Sequence, residues 1–378
     1  MTQSIIVYGI LVISLILLGL VAKINYKETG KKRQFWCWEI ISILLIYSLI
    51  SGIRYDVGVD YLGYLQIYLD SQHGMSGLHT FEFIFDYIFN IFSKSDIHFS
   101  FFFGFWAFIQ LLFVLLAFRN KRNLYPYLIL CMILLQYFYL SGGIRQAVVC
   151  CCFIFATQFI TDKKLFKYLI FISISIFIHK SAIFLLPLYF ILCFNKDFFP
   201  NKWITAVLIL VTIPISELRI WENILTFDFY PLLDIAGYET YNLNKEDILT
   251  TGYEFRKGGR FYISVILPLL VALYSNKLKE YYGKDLINVL NLYFIGAITA
   301  IIFYSSGIVF RRVLMYFFFF DFIGTAYLLH YLSLSHKNFN FIIYVFVTLL
   351  CILYFYFFLV SNHHTQYDFY WDYITSIE

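Results

Sequence analysis

Apolar runs of membrane-spanning length recur along this chain, separated by short polar connections, and no other feature restricts the fold as much. A helix needs roughly 20 mostly apolar residues to cross a bilayer core. Hydrocarbon offers no water to backbone N–H and C=O groups, so such runs must satisfy themselves internally and are read as helices. Composition agrees: of 378 residues, 61% are hydrophobic, 22% aromatic and only 14% charged, and mean hydropathy is +0.74. The chain is therefore read as an all-α, polytopic integral membrane protein, with residues 1–378 as one membrane domain. A soluble domain is excluded, and no nucleic-acid partner is expected.

The runs place helices near 4–22, 36–53, 99–118, 124–140, 144–160, 168–178, 181–194, 203–216, 262–275, 286–305, 313–332 and 339–360. Residues 168–194 form either one helix or a hairpin turning at His179-Lys180, and loop charge chooses between them. With the hairpin, the loops at 23–33, 119–122, 163–167, 196–202, 277–284 and 336–337 share one side and hold 17 of the 28 Lys and Arg. Cytoplasmic loops carry such an excess, which favours about twelve passes (ten to twelve fit the runs) with both termini outside. The first run, Ser4 to Ala22, has no basic segment before it and five cations after it, as a retained anchor does. All seven cysteines lie in apolar runs, so neither a disulfide framework nor a zinc-ligand spacing is offered.

Two outer segments, 54–98 and 217–261, are long enough for loops or interfacial helices. The first opens on Arg54-Tyr55-Asp56-Val57-Gly58-Val59-Asp60-Tyr61, one guanidinium and two carboxylates beside a span. Ionisable groups near hydrocarbon cost about 2.5–3.5 kcal/mol each on insertion scales, and they gather where a bundle interior or aqueous cavity needs them. The segment continues into Phe81-Glu82-Phe83, where Glu82 and Asp86 share a helical face. The second ends on the basic run Arg256-Lys257-Gly258-Gly259-Arg260, and its interleaved aromatics suit either sugar stacking or an ordinary membrane interface.

Of the eleven cations left outside, seven are Arg, against three of the seventeen inside. Loop retention needs only positive charge, whereas phosphate recognition favours the planar guanidinium fork. An anionic ligand at the outer face accounts for the bias, and so does pairing with acids of that face. Arg145-Gln146 follows the flexible Ser141-Gly142-Gly143, His179-Lys180-Ser181 lies at the hairpin tip, and Arg311-Arg312 precedes the eleventh span. His179, Asp60 and Asp56 are candidate general bases, since imidazole or an ionised carboxylate accepts a hydroxyl proton near neutral pH. Asp321 is the acid placed within a span. The residues together suggest an outward-facing site for lipid-linked, phosphate-bearing substrates.

The sequence also resembles the EpsG-like group of bacterial exopolysaccharide and O-antigen (Wzy-type) polymerases. The matching pieces are the 54–61 motif with Tyr64 and Glu82-Phe83, then Ile144-Arg145-Gln146-Ala147, His179-Lys180-Ser181-Ala182, and Arg312 with Tyr316-Phe317. The tail from Ser361 lacks the ending seen in many relatives, and nothing is carried over there. The resemblance implies glycosyl transfer at the outer face of the inner membrane, joining oligosaccharide repeat units carried on undecaprenyl pyrophosphate. It also implies membrane lipid and a chain-length regulator as partners, and no cofactor. Arg54, Arg145, Gln146, Arg311, Arg312, Arg256 and Arg260 are then candidates for the pyrophosphate and sugar, and an Arg clamp in place of a metal predicts a metal-independent reaction. A lipid-linked oligosaccharide flippase, an O-antigen ligase and a membrane O-acyltransferase are the competing readings.

Overall fold

Helix formation follows the apolar runs closely. The computed structural model describes residues 1–29, 34–74, 81–218, 258–304, 308–335 and 337–374. In chain order its elements are α1 (Thr2–Thr29), α2 (Trp38–Gly52), β1 (Arg54–Tyr55), α3 (Tyr61–Gln72), α4 (Phe83–Lys94) and α5 (Phe99–Ala117). Next come α6 (Tyr125–Cys131) and α7 (Tyr137–Gly142), joined through a π-helical turn at Met132–Gln136, then α8 (Ile144–Thr161) and α9 (Leu165–Ile176). A 3-10 turn at Lys180–Leu185 leads to α10 (Leu188–Leu192) and α11 (Lys202–Glu217). The remainder is α12 (Gly259–Tyr282), α13 (Ile287–Ile302), α14 (Ile308–Phe318), α15 (Asp321–Ser333), α16 (Asn338–Ser361), β2 (Asp368–Phe369) and α17 (Tyr370–Ile374). Seven helical stretches among the described residues are long and apolar enough to cross a membrane. On α1, Ile5, Ile6, Ile10, Ile13 and Leu17 are exposed, as a lipid-facing stripe requires.

The chain clusters into two compact units. The first comprises Met1–Ala156, Ser173–His179 and Phe358–Glu378. Here α1 packs along α2 and α6, and α2 along α5. The α2–α5 crossing is close because Gly52 lacks a side chain: a Cβ there would lie 2.6 Å from the carbonyl oxygen of Ser100. Helices α3 and α4 fill the segment after α2 and pack through rings, with Phe85 stacked on Trp106 of α5 at 5.0 Å and Tyr68 edge-on to Phe89 at 5.5 Å. Aromatic pairs of this kind contribute beyond their buried area, which fixes α4 against α5.

The second unit comprises Thr157–Ile172 and Lys180–Phe357. In it α11 packs on α12 and α13, and α13 on α14 and α15. One end is tied by polar groups: Asn288 Nδ2 donates to Asn195 Oδ1 at 2.7 Å, Asn291 Nδ2 to the Lys196 carbonyl at 2.8 Å, and Lys279 pairs with Asp197 at 2.7 Å.

Two local expectations change. The predicted helix over 313–332 is broken at Phe319-Phe320, where Phe320 N–H bonds back only three residues to the Phe317 carbonyl. Asp321 opens α15, where an acid in a first turn suits the helix dipole, and it still lies within the apolar stretch Arg312–Ser333 that is long enough to cross a membrane. The segment 54–98, expected to hold loops or interfacial helices, contains the two helices α3 and α4. The all-α expectation also omitted a short antiparallel pairing, Arg54 with Phe369 and Tyr55 with Asp368, that brings the C-terminal tail onto the first motif. Of the long outer segment 217–261, residues 219–257 lie outside the described residues.

Candidate active site

The backbone of the first unit brings three distant stretches together. At the start of α4, the N–H of Ile84 donates to the Phe177 carbonyl at 2.9 Å, joining this helix end to the break after α9. His179 lies in that break, its N–H bonded to the Ser175 carbonyl at 2.9 Å. The third stretch is the Ser141-Gly142-Gly143 turn that delivers Arg145 in the first turn of α8. Gly58 sets how closely the opening motif meets that turn. Its φ is +106°, and a Cβ would lie 2.3 Å from the Ser141 carbonyl oxygen, so only glycine fits.

These supports converge on Glu82. Its Oε2 accepts from Arg145 Nη1 at 2.5 Å and its Oε1 from His179 Nδ1 at 3.2 Å, so one carboxylate bridges a guanidinium and an imidazole. Arg145 Nε donates to the Tyr64 hydroxyl at 3.1 Å, and the guanidinium lies over the rings of Phe81 (5.1 Å) and Phe85 (5.7 Å). The side chains of Glu82 and His179 are each 11% exposed and that of Arg145 26%, so the cluster is screened from bulk water while its cation still reaches solvent. A charge so enclosed needs its partners in good geometry, and here charge-assisted bonds supply them. With Nδ1–H committed to Glu82, a neutral His179 carries its lone pair on Nε2.

Asp60 precedes α3 and its Oδ2 would lie 3.9 Å from a Cβ on Gly143, two residues before Arg145. Asp56 is held by His364, whose Nδ1–H donates to Oδ1 at 3.1 Å. Gln146 is buried.

Arg54, a candidate for the pyrophosphate, is tied to its own motif. It is buried, with Nε donating to the Val57 carbonyl and Nη2 to the Ser141 carbonyl, both at 3.1 Å, and Nη1 to that of Ser51. The Tyr61 and Phe103 rings cover it at 5.5 and 5.2 Å. A guanidinium whose three nitrogens each donate to a backbone carbonyl shapes the motif. Arg260 and Arg312 belong to the second unit, where Arg260 lies 5.4 Å from the ring centroid of Tyr354 and Arg312 is half-buried. Arg256 and the side chain of Arg311 fall outside the described residues.

Sequence reasoning gave Glu82 no role, although it was legible as a carboxylate between phenylalanines at the start of an apolar helix. His364 had no such signal, because only the folded tail brings it to Asp56. No group of three or more His, Cys, Asp or Glu among the described residues is arranged to hold a metal ion.

Long apolar helices with exposed apolar stripes define an all-α membrane protein, and its first unit holds a secluded Glu–Arg–His cluster beside a charged motif. Residues 36–375 match the model of the EpsG family, and the chain belongs to that family. Membership makes it a polysaccharide polymerase-like membrane protein. No curated protein and no solved structure matches the chain.

Proposed function

We propose that the protein is a glycosyltransferase that joins undecaprenyl-pyrophosphate-linked oligosaccharide repeat units at the outer face of the bacterial inner membrane. A hydroxyl at the non-reducing end of one unit attacks the anomeric carbon of another. The new C–O bond forms as the anomeric carbon–phosphate oxygen bond breaks, and the lipid pyrophosphate leaves with the bonding electrons. His179 Nε2 takes the hydroxyl proton while Glu82 holds the opposite ring nitrogen and balances the imidazolium charge. Arg145 stabilises the negative charge growing on the pyrophosphate, where preorganised donors contribute most to catalysis. Asp60 binds the acceptor sugar beside them.

The observation that carries this reading is the single carboxylate shared by Arg145 and His179, since it sets the charge-stabilising group and the base into one framework. Guanidinium in place of a divalent ion makes the reaction metal-independent, so activity persists in chelator. Membrane lipid surrounds the site, and a chain-length regulator is the expected protein partner.

The test is inactivation of the gene followed by electrophoresis of surface polysaccharide. Loss of a polymerase leaves a single repeat unit on the final acceptor. No attached unit would indicate a ligase, and units stranded on the cytoplasmic leaflet a flippase; either result overturns the proposal.

A further inference from the structure

The C-terminal tail is fixed to the first unit by bonds that do not involve Asp56. Asn362 Oδ1 accepts from the His364 N–H at 3.1 Å and caps the turn at His363–Thr365. The Thr365 carbonyl accepts from the Tyr8 hydroxyl at 2.9 Å, and Tyr367 N–H donates to Ser4 Oγ at 2.8 Å. The Tyr367 hydroxyl reaches the Ile50 carbonyl at 2.6 Å, and Tyr370 N–H the Ile53 carbonyl at 3.2 Å. The tail is thus anchored on α1 and on the end of α2 before it meets the motif.

From that anchor it grips the motif at both ends. On one side β2 pairs with Arg54 and Tyr55. On the other, the Gly58 N–H donates to the His364 carbonyl at 2.8 Å. Between them stands Asp56 at φ +49°, a left-handed conformation uncommon among side-chain-bearing residues and one in which Asp is enriched. The His364 side chain completes the grip with its bond to Asp56, and both remain reachable from solvent, at 41% and 33% exposure.

We infer that His364 is a positioning residue, which sets the Asp56 carboxylate in the orientation that receives an acceptor-sugar hydroxyl. The inference rests on the glycosyl-transfer reading and extends it: the last residues of the chain complete the acceptor side of the site. A carboxylate aligned by a fixed donor binds a hydroxyl in one direction, so His364 governs acceptor use and not the donor pyrophosphate.

The experiment complements the inactivated gene with full-length His364→Ala, His364→Asn and Glu82→Gln chains at matched membrane levels. It reads polymer on a gel and tail docking by protease cleavage after Tyr370 or Trp371. His364→Ala is expected to lower polymer output at least about tenfold with the tail as protected as in the wild type, and His364→Asn to restore most of it, because the Asn amide donates where Nδ1–H did. Wild-type output from His364→Ala, with Glu82→Gln inactive, overturns this inference alone. So does equal failure of both His364 variants with the tail released, since that marks a structural role only. Wild-type output from all three overturns the role given to the Glu82 framework and this inference with it, while the single-repeat phenotype of the inactivated gene tests the glycosyl-transfer reading separately.

Discussion

Glu82 accepts the Nδ1–H of His179 across 97 positions of sequence, at 3.2 Å, within a cluster that also holds Arg145. A carboxylate can accept at both oxygens at once, and an amide cannot. Glu82→Gln would keep one contact and turn an N–H toward the other donor, so either His179 loses its orientation or Arg145 its counter-ion. Polymer formation by Glu82→Gln is expected to fall about 10²-fold or more, the lower range for losing general base catalysis. Polymer output at matched protein level checks this, and wild-type output refutes it.

Arg145 separates charge from geometry. Its Nε and Nη1 are engaged by Tyr64 and Glu82, which holds the plane of the guanidinium fixed. Lysine preserves the charge but not the fork, and the rings of Phe81 and Phe85 pack against a flat cation. Arg145→Lys should therefore lose about 10²-fold in rate, comparable with removing one preorganised oxyanion donor. Full activity in steady-state assays would remove Arg145 from the pyrophosphate site.

Gly58→Ala tests the motif's packing. Its Cβ would meet the Ser141 carbonyl oxygen at 2.3 Å in a left-handed backbone, so the motif must move away from the turn before Arg145. A loss of about 1–3 kcal/mol is expected from backbone strain alone. Thermal unfolding in detergent reads it, and an unchanged midpoint contradicts it.

Tail docking should depend on pH through Asp368. Partial desolvation of this largely exposed side chain, then the neighbouring Asp372 and, more weakly, Asp56 push the carboxyl above its ordinary value, against the opposing N-terminal ammonium. A raised carboxyl means that the folded state favours the proton. Its contribution is complete below the unfolded value of about 3.9 and is lost as pH rises through the folded one. Asp368→Asn cannot charge, so its tail should be cleaved more slowly than the wild type at neutral pH, with the difference vanishing toward about pH 4. Equal cleavage at neutral pH would contradict this.

Much of the fold was legible because membrane helices announce themselves by length and apolarity. The break at His179 was legible as well, since the distribution of Lys and Arg among the loops favoured a turn there over one continuous helix. What escaped was tertiary. Arg54 and Arg145 look alike as outer-face cations, yet one serves three backbone carbonyls and the other a carboxylate, a phenol and two rings. Charge composition cannot distinguish them, because the difference lies in which carbonyls the Ser141-Gly142-Gly143 turn and the motif bring near. The tail escaped for a similar reason: pairing between Arg54 and Phe369 spans almost the whole chain and leaves no local periodicity.

The central claim is that His179 acts as the base within the Glu82 framework. Asparagine at position 179 keeps an N–H for Glu82 but has no basic nitrogen. The most direct measurement is the initial rate at which purified protein in liposomes, supplied with a lipid-linked repeat unit and chelator, forms polymer as wild type and as His179→Asn. The account predicts chelator-resistant polymerisation by the wild type and a rate at least about 10²-fold lower for the variant. Equal rates for the two proteins would contradict it.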